Sequence, residues 1–530
     1  MAKPNHEHKV LKSCNPQDRN SLHEVLHMIL NIQGNLNRYY AQTLCLIYFP
    51  GAKFGENEVE RADVPVVDFV VVDREDGIYS HATIRLGEKK CAAECFVPFS
   101  EIFPKERVRK MASGHAMTLA AKEFFGYISP WGLLTGVRPA KVAAQYLEDG
   151  YGVMKTRKLL ATEYFLNPKK AFLATAVAQN ELKLTKEMDP NGCSVYISIP
   201  FCPTRCAYCS FVSASQKMLS MLDDYLVLLL RDIKNVFATI KALGKRVVTV
   251  YIGGGTPTTL SARQLKKLLS TVAACTDVSA LDEFTLEAGR PDTITEEKLR
   301  IAKEYGVTRV SVNPQTLADD VLENIGRRHN ADDFFRAYAL AEASGIRDIN
   351  TDLIVGLPGD SFKKFSSSLE RIVALDPTNI TVHTFCFKRA AALSRPDGDP
   401  FVPDVPMAAK CIQYSQLMLS NASYKPYYMY RQKNAVGNLE NVGYAKVGSE
   451  CMYNIYMMEE LHSIFGAGAG AVTKLVERDP SLDGGLRMKR IFSPKYPYEY
   501  IRDIEKILRG DAEEGIPSYK EKVLDFFDRK

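Results

Sequence analysis

Cys202, Cys206 and Cys209 stand in the run Ile197-Ser-Ile-Pro-Phe-Cys-Pro-Thr-Arg-Cys-Ala-Tyr-Cys-Ser-Phe211. Their C-x3-C-x2-C spacing follows directly on an apolar, strand-like stretch from Ser194 to Ile199. Three thiolates this close together can each take one iron of a [4Fe–4S] cube and leave the fourth iron without a protein ligand. An open iron can chelate a small molecule, so the spacing points to chemistry more than to electron storage. Scattered core cysteines, the bland alternative, have no reason to adopt it.

Other residues bear on the same chemistry. Gly253-Gly-Gly-Thr-Pro-Thr258 follows a second apolar run. Its glycines let backbone approach a ligand closely and offer N–H groups to a carboxylate, although a tight strand-to-helix turn needs glycine as well. Glu287 ends the run Thr285-Leu-Glu-Ala-Gly289, and Gln315 lies just beyond a fourth run. Asp352 interrupts the apolar stretch Ile349-Asn-Thr-Asp-Leu-Ile-Val355. A buried Asp requires a partner, either a ribose hydroxyl or Arg327. Two further motifs read as packing, and a third as a wall of small residues. His23-Glu-Val-Leu-His27 spells a zinc-protease motif, but no obvious third ligand follows, and Leu22, Val25, Leu26 and Ile29 explain an amphipathic helix. Cys91 and Cys95 lack a third thiol. Gly466-Ala-Gly-Ala-Gly-Ala471 lacks the strand–GxGxxG–helix context of a phosphate site.

These residues need a scaffold. Apolar runs at 194–199, 246–252, 283–287, 309–313, 349–355 and 379–386 alternate with helical patterns. Leu226, Leu229, Leu230, Ile233, Val236, Phe237 and Ile240 make one helix face, stopped by Gly244, and Ser261 with Gln264 forms a capping box. Six strand–helix units predict a parallel sheet with right-handed crossovers. The expected fold is α/β, a partial (β/α)6 barrel of TIM type whose site lies at the C-terminal strand ends. A flavodoxin-like order fits the alternation too; the cysteine loop after the first strand favours the barrel. The turn Asp189-Pro-Asn-Gly192 and the linker Ser394 to Pro406 suggest three domains, 1–189, 190–395 and 396–530. The first reads as α+β, with helical patterning at 20–32 and 115–125 around strand-like runs at 44–49, 65–72 and 91–97. The last reads as mostly helical and tyrosine-rich.

Composition narrows the function classes. A chain of 530 residues that is 46% hydrophobic has room for two to four packed domains. No stretch approaches 18 uncharged apolar residues, and the first residues lack the apolar core of a signal peptide, so a cytoplasmic protein without a membrane span is expected. Twelve cysteines then fit thiolate ligands in a reducing compartment better than disulfides. A net charge of +5 is too small and dispersed to argue for nucleic acid.

The pattern Tyr196-x5-Cys202-x3-Cys206-x-Tyr208-Cys209 resembles that of the radical S-adenosylmethionine (SAM) enzymes. Within them it is similar to the oxygen-independent coproporphyrinogen III oxidase family, with its heme-chaperone and heme-degrading relatives. Trp131-Gly-Leu-Leu-Thr-Gly-Val-Arg-Pro139 and Tyr430-Arg-Gln-Lys433 through Tyr444 resemble the longer coproporphyrinogen dehydrogenase branch of clostridia and bacilli. The general likeness covers about residues 190–475, and the branch-level one most of the chain.

The resemblance implies a [4Fe–4S] cluster on Cys202, Cys206 and Cys209, and SAM, one molecule or two, as cofactors. It implies SAM contacts at Tyr196, Tyr208, Gly254, Gly255, Thr256, Glu287, Gln315, Arg327, Asp352, Cys386 and Val472. The expected reaction is oxidative decarboxylation of coproporphyrinogen propionates to vinyls in heme biosynthesis. The alternatives are a heme chaperone and a heme-modifying or heme-degrading enzyme. The implied partners are a tetrapyrrole and a reducing protein such as flavodoxin or ferredoxin. Lys388, Arg389, Arg431 and Lys433 are candidates to bind propionates, with solvated surface charge as the alternative. One departure bears on activity. Phe211 stands where established oxidases carry a fourth cysteine, and Ala445 to Ile455 also resembles the chaperone branch.

Overall fold

A computed structural model of the chain describes residues 27–55, 59–99, 103–209, 216–386, 403–432, 435–478, 485–510 and 517–528. His23, Phe211, Lys388, Arg389 and Lys433 lie outside them. The chain divides into two compact units, Met1–Gln179 and Asn180–Lys530.

The first unit carries a five-stranded mixed sheet. Strand His27–Gln33 lies between Lys53–Phe54 and Val66–Asp73, both parallel to it, and Gly77–Leu86 and Lys89–Pro98 follow as antiparallel neighbours. Two expectations are corrected here. The helix expected over 20–32 is, from residue 27, a strand. Met28 and Leu30 are buried and alternate with less buried neighbours, the period of two that a pleated strand imposes. Residues 44–49, expected as a strand, lie mostly in helix Arg38–Tyr48. Asn37 caps that helix by accepting from the Tyr40 N–H at 3.0 Å. Its buried residues Ala41, Leu44, Cys45 and Tyr48 follow helical spacing. In the Trp131 motif, Trp131 is buried, and Gly132 has a φ of +53° with a Cβ position only 1.8 Å from the Tyr164 carbonyl oxygen.

The second unit is built on β1 (Gly192–Ile199), β2 (Arg246–Gly254), β3 (Glu283–Glu287), β4 (Arg309–Ser311), β5 (Asp348–Val355) and β6 (Asn379–Thr384), each parallel to the next. Helices α1 (Leu222–Ala242), α2 (Ala262–Cys275), α3 (Glu296–Glu304), α4 (Ala331–Ala343) and α5 (Phe362–Ala374) run between them. Leu226, Leu229, Ile233, Val236, Phe237 and Ile240 of α1 are buried as their spacing predicts, each adding about 1.5–3 kcal/mol relative to exposure. The Ser261–Gln264 capping box opens α2. β4 is shorter than the apolar run, although the Val312 N–H still donates to the Asn350 carbonyl of β5 at 2.9 Å.

Residues beyond 403 are not mostly helical. They supply helices α6 (Val405–Asn421), α7 (Met452–Glu459), α8 (Pro497–Arg509) and α9 (Tyr519–Phe527). They also supply strands β7 (Lys425–Arg431), β8 (Glu440–Ala445), β9 (Ile464–Ala467), β10 (Val472–Arg478) and β11 (Leu486–Phe492). The strand order β7-β8-β6-β5-β4-β3-β2-β1-β9-β10-β11 makes one open sheet. β9 extends β1 in parallel, while β8 pairs antiparallel with β6. Short aromatic runs such as Lys-Pro-Tyr-Tyr-Met-Tyr-Arg read ambiguously by themselves; their ladder partners make them strands. The Gly466–Ala471 run turns against β1 and α1. The Gly468 N–H donates to the Asp232 carboxylate at 2.9 Å, and Tyr225 accepts from the Ala469 N–H at 2.9 Å while donating to the Ser198 carbonyl at 2.8 Å. A Cβ at Gly468 would lie 2.6 Å from the Tyr225 hydroxyl, so the small residues are a packing requirement.

Candidate active site

The three cysteines occupy the turn after β1. Cys202 and Cys206 are buried and Cys209 is partly exposed. Backbone bonds fold the loop: Cys209 N–H to the Cys206 carbonyl at 3.0 Å, and Ala207 N–H to the Ile325 carbonyl at 3.0 Å. The Cys202 sulfur lies 3.3 Å from Thr256 Oγ1. Burial raises the Cys202 thiol pKa, opposed by the Thr256 hydroxyl and by Arg290, while Cys209 and Cys206 are close enough to raise it further. Among the described residues no three His, Cys, Asp or Glu side chains converge on a single-ion site. A cube does not require that, because each thiolate takes a different iron. Three mutually interacting thiols on one loop fit the cluster, with Thr256 and Arg290 as donors around the sulfurs.

The glycine loop serves the cysteine loop. The Gly255 N–H donates to the Ile199 carbonyl at 2.9 Å and the Thr256 N–H to the Phe201 carbonyl at 2.8 Å. These two groups therefore hold the cysteine loop in place. Gly254, at a φ of +110°, gives its N–H to Glu287. A Cβ on Gly255 would sit 2.6 Å from the Phe201 carbonyl oxygen, so glycine is imposed here by backbone meeting backbone.

Around this pair lies a layer from the strand ends. Tyr196 of β1 and Tyr251 of β2 stack with centroids 6.1 Å apart, and Tyr453 of α7 stacks on Tyr251 at 4.6 Å. Tyr251 donates to Glu287 at 2.8 Å. Asp352 accepts from Asn313 and Asn350, each at 2.8 Å, and lies 3.7 Å from His383, whose other ring nitrogen is 3.3 Å from the Tyr430 hydroxyl. Asp352 thus finds protein partners other than Arg327. Arg327 instead donates to the Gly289 carbonyl at 3.0 Å and the Tyr208 hydroxyl at 2.9 Å. Its Nε and the Asn313 Oδ1 are buried without hydrogen-bond partners, an orphaned donor and acceptor suited to a polar ligand. Gln315 is buried beside them with a φ of +69°, a strained conformation of the kind found at ligand sites. Cys386 forms an isolated bridge with Ala435, and Val472 packs under Gly466, farther along the sheet. Arg431 is buried with a pKa lowered to about 10 by burial, against the pull of Glu440, so it is not a surface group awaiting a propionate.

Sequence reasoning missed Arg290, Asn313, Tyr251, His383 and Tyr453. Tyr251 shares its strand with Gly254 and Arg290 follows the strand of Glu287, but strand period alone does not tell lumen from outer face. Position next to Glu287 was the available signal for Arg290.

The two carboxyls are pushed apart. Burial raises Glu287 to about 7, with Asp352 adding to the rise and Tyr251 and Gly254 opposing it. Burial also raises Asp352, but His383, Asn350 and Thr381 outweigh it and leave its pKa below the ordinary value. Between the ordinary Glu value and about 7, the folded chain holds a proton that the unfolded chain releases. Glu287 therefore costs stability as pH rises through that window. SAM carries a permanent sulfonium charge, which an ionised Glu287 would attract if it lines SAM as the resemblance implies. Its affinity is expected to rise about tenfold from about pH 6 to about pH 8, and Glu287→Gln to flatten that rise. Calorimetric titration at both pH values checks it; equal slopes in the two proteins contradict the assignment.

The Radical SAM superfamily model matches residues 196–372. The oxygen-independent coproporphyrinogen-III oxidase-like protein HemZ of Bacillus subtilis (strain 168) is 37% identical over 384 residues, covering 72% of this chain and 76% of that protein. The heme chaperone HemW of the same organism is 34% identical over 283 residues, covering 52% of this chain and 70% of that one. HemW of Escherichia coli (strain K12) is 32% identical over 287 residues, covering 54% and 71%. Among solved structures, coproporphyrinogen III oxidase (HemN) from Escherichia coli aligns with a TM-score of 0.48 at 19% identity over 64% of this chain and 72% of that one. No helix among the described residues is long and apolar enough to cross a membrane. With the three-cysteine turn on β1, the family match across the parallel strands and the extent of the HemZ likeness, the chain belongs to the radical SAM superfamily, among the oxygen-independent coproporphyrinogen-III oxidase-like proteins.

Proposed function

We propose that this protein is a radical SAM oxidoreductase that decarboxylates propionate side chains of coproporphyrinogen III to vinyls. The observation that supports it most is the adjacency of the three-thiol loop to Glu287, where one strand end holds the cluster loop and the next but one holds a carboxyl titrating near neutrality. Cys202, Cys206 and Cys209 would hold the cluster, and Glu287, Gly254 and Tyr196 would line SAM. When bound, the cluster supplies the electron that cleaves SAM to methionine and a 5′-deoxyadenosyl radical. Together the two groups would supply hydrogen-atom abstraction from the propionate, after which carbon dioxide and one electron would leave the side chain, the electron passing to an acceptor. The residues' part is to orient the propionate and keep out water. The orphaned Arg327 Nε and Asn313 Oδ1, with Tyr208, Gln315 and Asp352, suit a second SAM beside the first.

A second reading, a heme chaperone, is favoured by Phe211 in the place of the fourth cysteine and by the two HemW relatives. Anaerobic incubation with SAM, reductant and either coproporphyrinogen or heme, followed by mass spectrometry, separates them. Loss of carboxyl groups supports the dehydrogenase. Heme retained on the protein with no loss of carboxyl groups supports the chaperone and overturns the first reading. A flavodoxin or ferredoxin is the proposed physiological reductant, in a cytoplasmic setting.

A further inference from the structure

Arg290, directly after the Glu287-Ala-Gly stretch, is 3% exposed and is not among the residues that the cluster or SAM motifs single out. Its Nη1 donates to the Thr204 carbonyl at 3.0 Å and points at the Cys206 sulfur 3.8 Å away. Its Nε is held 3.2 Å from the Asp292 carboxylate. Asp292 is in turn fixed at the start of a short 3₁₀ turn, Pro291–Thr293, whose Thr293 donates both its N–H and its hydroxyl to the Arg290 carbonyl. The guanidinium is thus clamped from one side and aimed from the other. It touches both a carbonyl inside the cysteine loop and the middle cysteine.

A hydrogen bond and a positive charge at a cluster sulfur stabilise the reduced cube, which carries one more negative charge, and so raise its reduction potential. We propose that Arg290 is a positioning residue that sets the reduction potential of the cluster held on Cys206, with Asp292 moderating its charge. The inference rests on the cluster reading of Cys202, Cys206 and Cys209. It is independent of which tetrapyrrole, if any, is the substrate.

The test is a redox titration of the anaerobically reconstituted full chain with dithionite, followed by electron paramagnetic resonance, beside iron analysis. Arg290→Gln removes the charge and should lower the midpoint by at least the equivalent of a tenfold change in the reduced fraction, about 59 mV for one electron. Arg290→Lys keeps the charge and should fall between Gln and the native protein. Asp292→Asn removes the moderating charge and should shift the midpoint upward. Opposite signs in the two positions are what a merely structural role would not give. An unshifted midpoint in Arg290→Gln with full iron, or shifts of the same sign in both variants, overturns the proposal. If Arg290→Gln does not retain iron, Asp292→Asn decides: an upward shift supports the proposal, and none or a downward shift overturns it. Native protein that binds no iron would refute the cluster reading itself, a different outcome from an unshifted potential.

Discussion

Replacing Cys206 by Ala is expected to take the iron content of anaerobically purified protein from about four per chain to near zero, with loss of the broad thiolate-to-iron absorption. The size of the effect follows from the site. Cys206 is buried in the middle of the loop, with Arg290 at its sulfur and the Cys209 N–H on its carbonyl, and no other thiol on that loop is spare. Cys91 is the control. It lies in strand Lys89–Pro98 of the other unit, and its thiol pKa is raised, chiefly by burial, with Glu123 adding to the rise against Lys89. With Cys95 it makes only a pair, with no third thiol at the spacing of the 202–209 loop, so Cys91→Ala should leave both iron and colour intact. Iron analysis with visible spectra checks the pair, and equal iron loss in both would remove the basis of the assignment.

Gly255→Val is expected to cost iron as well as SAM, by tenfold or more in cluster occupancy. The β carbon alone would meet the Phe201 carbonyl oxygen at 2.6 Å and its nitrogen at 2.8 Å, and backbone cannot swing aside as a side chain can. The residue that must move is the one before Cys202. Gly253→Ala makes the contrast, since its β carbon meets the Glu287 carboxylate and the Tyr251 ring, each at 2.8 Å. Those are side chains of the layer proposed to line SAM. Gly253→Ala should therefore keep its iron and weaken SAM binding. Iron analysis and SAM calorimetry on both variants check the contrast, and a Gly255→Val protein with full iron would contradict it.

The parallel strands were legible because burial on both faces writes long apolar runs into the sequence, and turn signals such as Asp189-Pro-Asn-Gly192 bound them. The cysteine loop was legible because metal ligation demands residue types at fixed spacing. What was not legible depended on partners far along the chain. Lys425–Arg431 and Leu486–Phe492 are strands because neighbours in the sheet accept them, which no local pattern records. The run at 44–49 looked like a strand because Leu, Cys, Leu and Ile suit either structure. Only the Asn37 cap and the burial of Ala41, Leu44, Cys45 and Tyr48 decide for a helix. The glycine loop misled in a subtler way. Its N–H groups were expected to face a ligand, and those of Gly255 and Thr256 bind the cysteine loop instead. The partners of Asp352 were also hidden, since Asn313 and His383 come from different strand ends.

The central claim is that hydrogen leaves a propionate side chain of the tetrapyrrole for the radical derived from SAM. Coproporphyrinogen III deuterated on the propionate chains, incubated anaerobically with the native protein, SAM and reductant, tests it directly by mass spectrometry of the 5′-deoxyadenosine. The account predicts 5′-deoxyadenosine carrying one deuterium, formed one for one with carbon dioxide, and none of either with Cys206→Ala. Unlabelled 5′-deoxyadenosine with every carboxyl group still on the tetrapyrrole would contradict it.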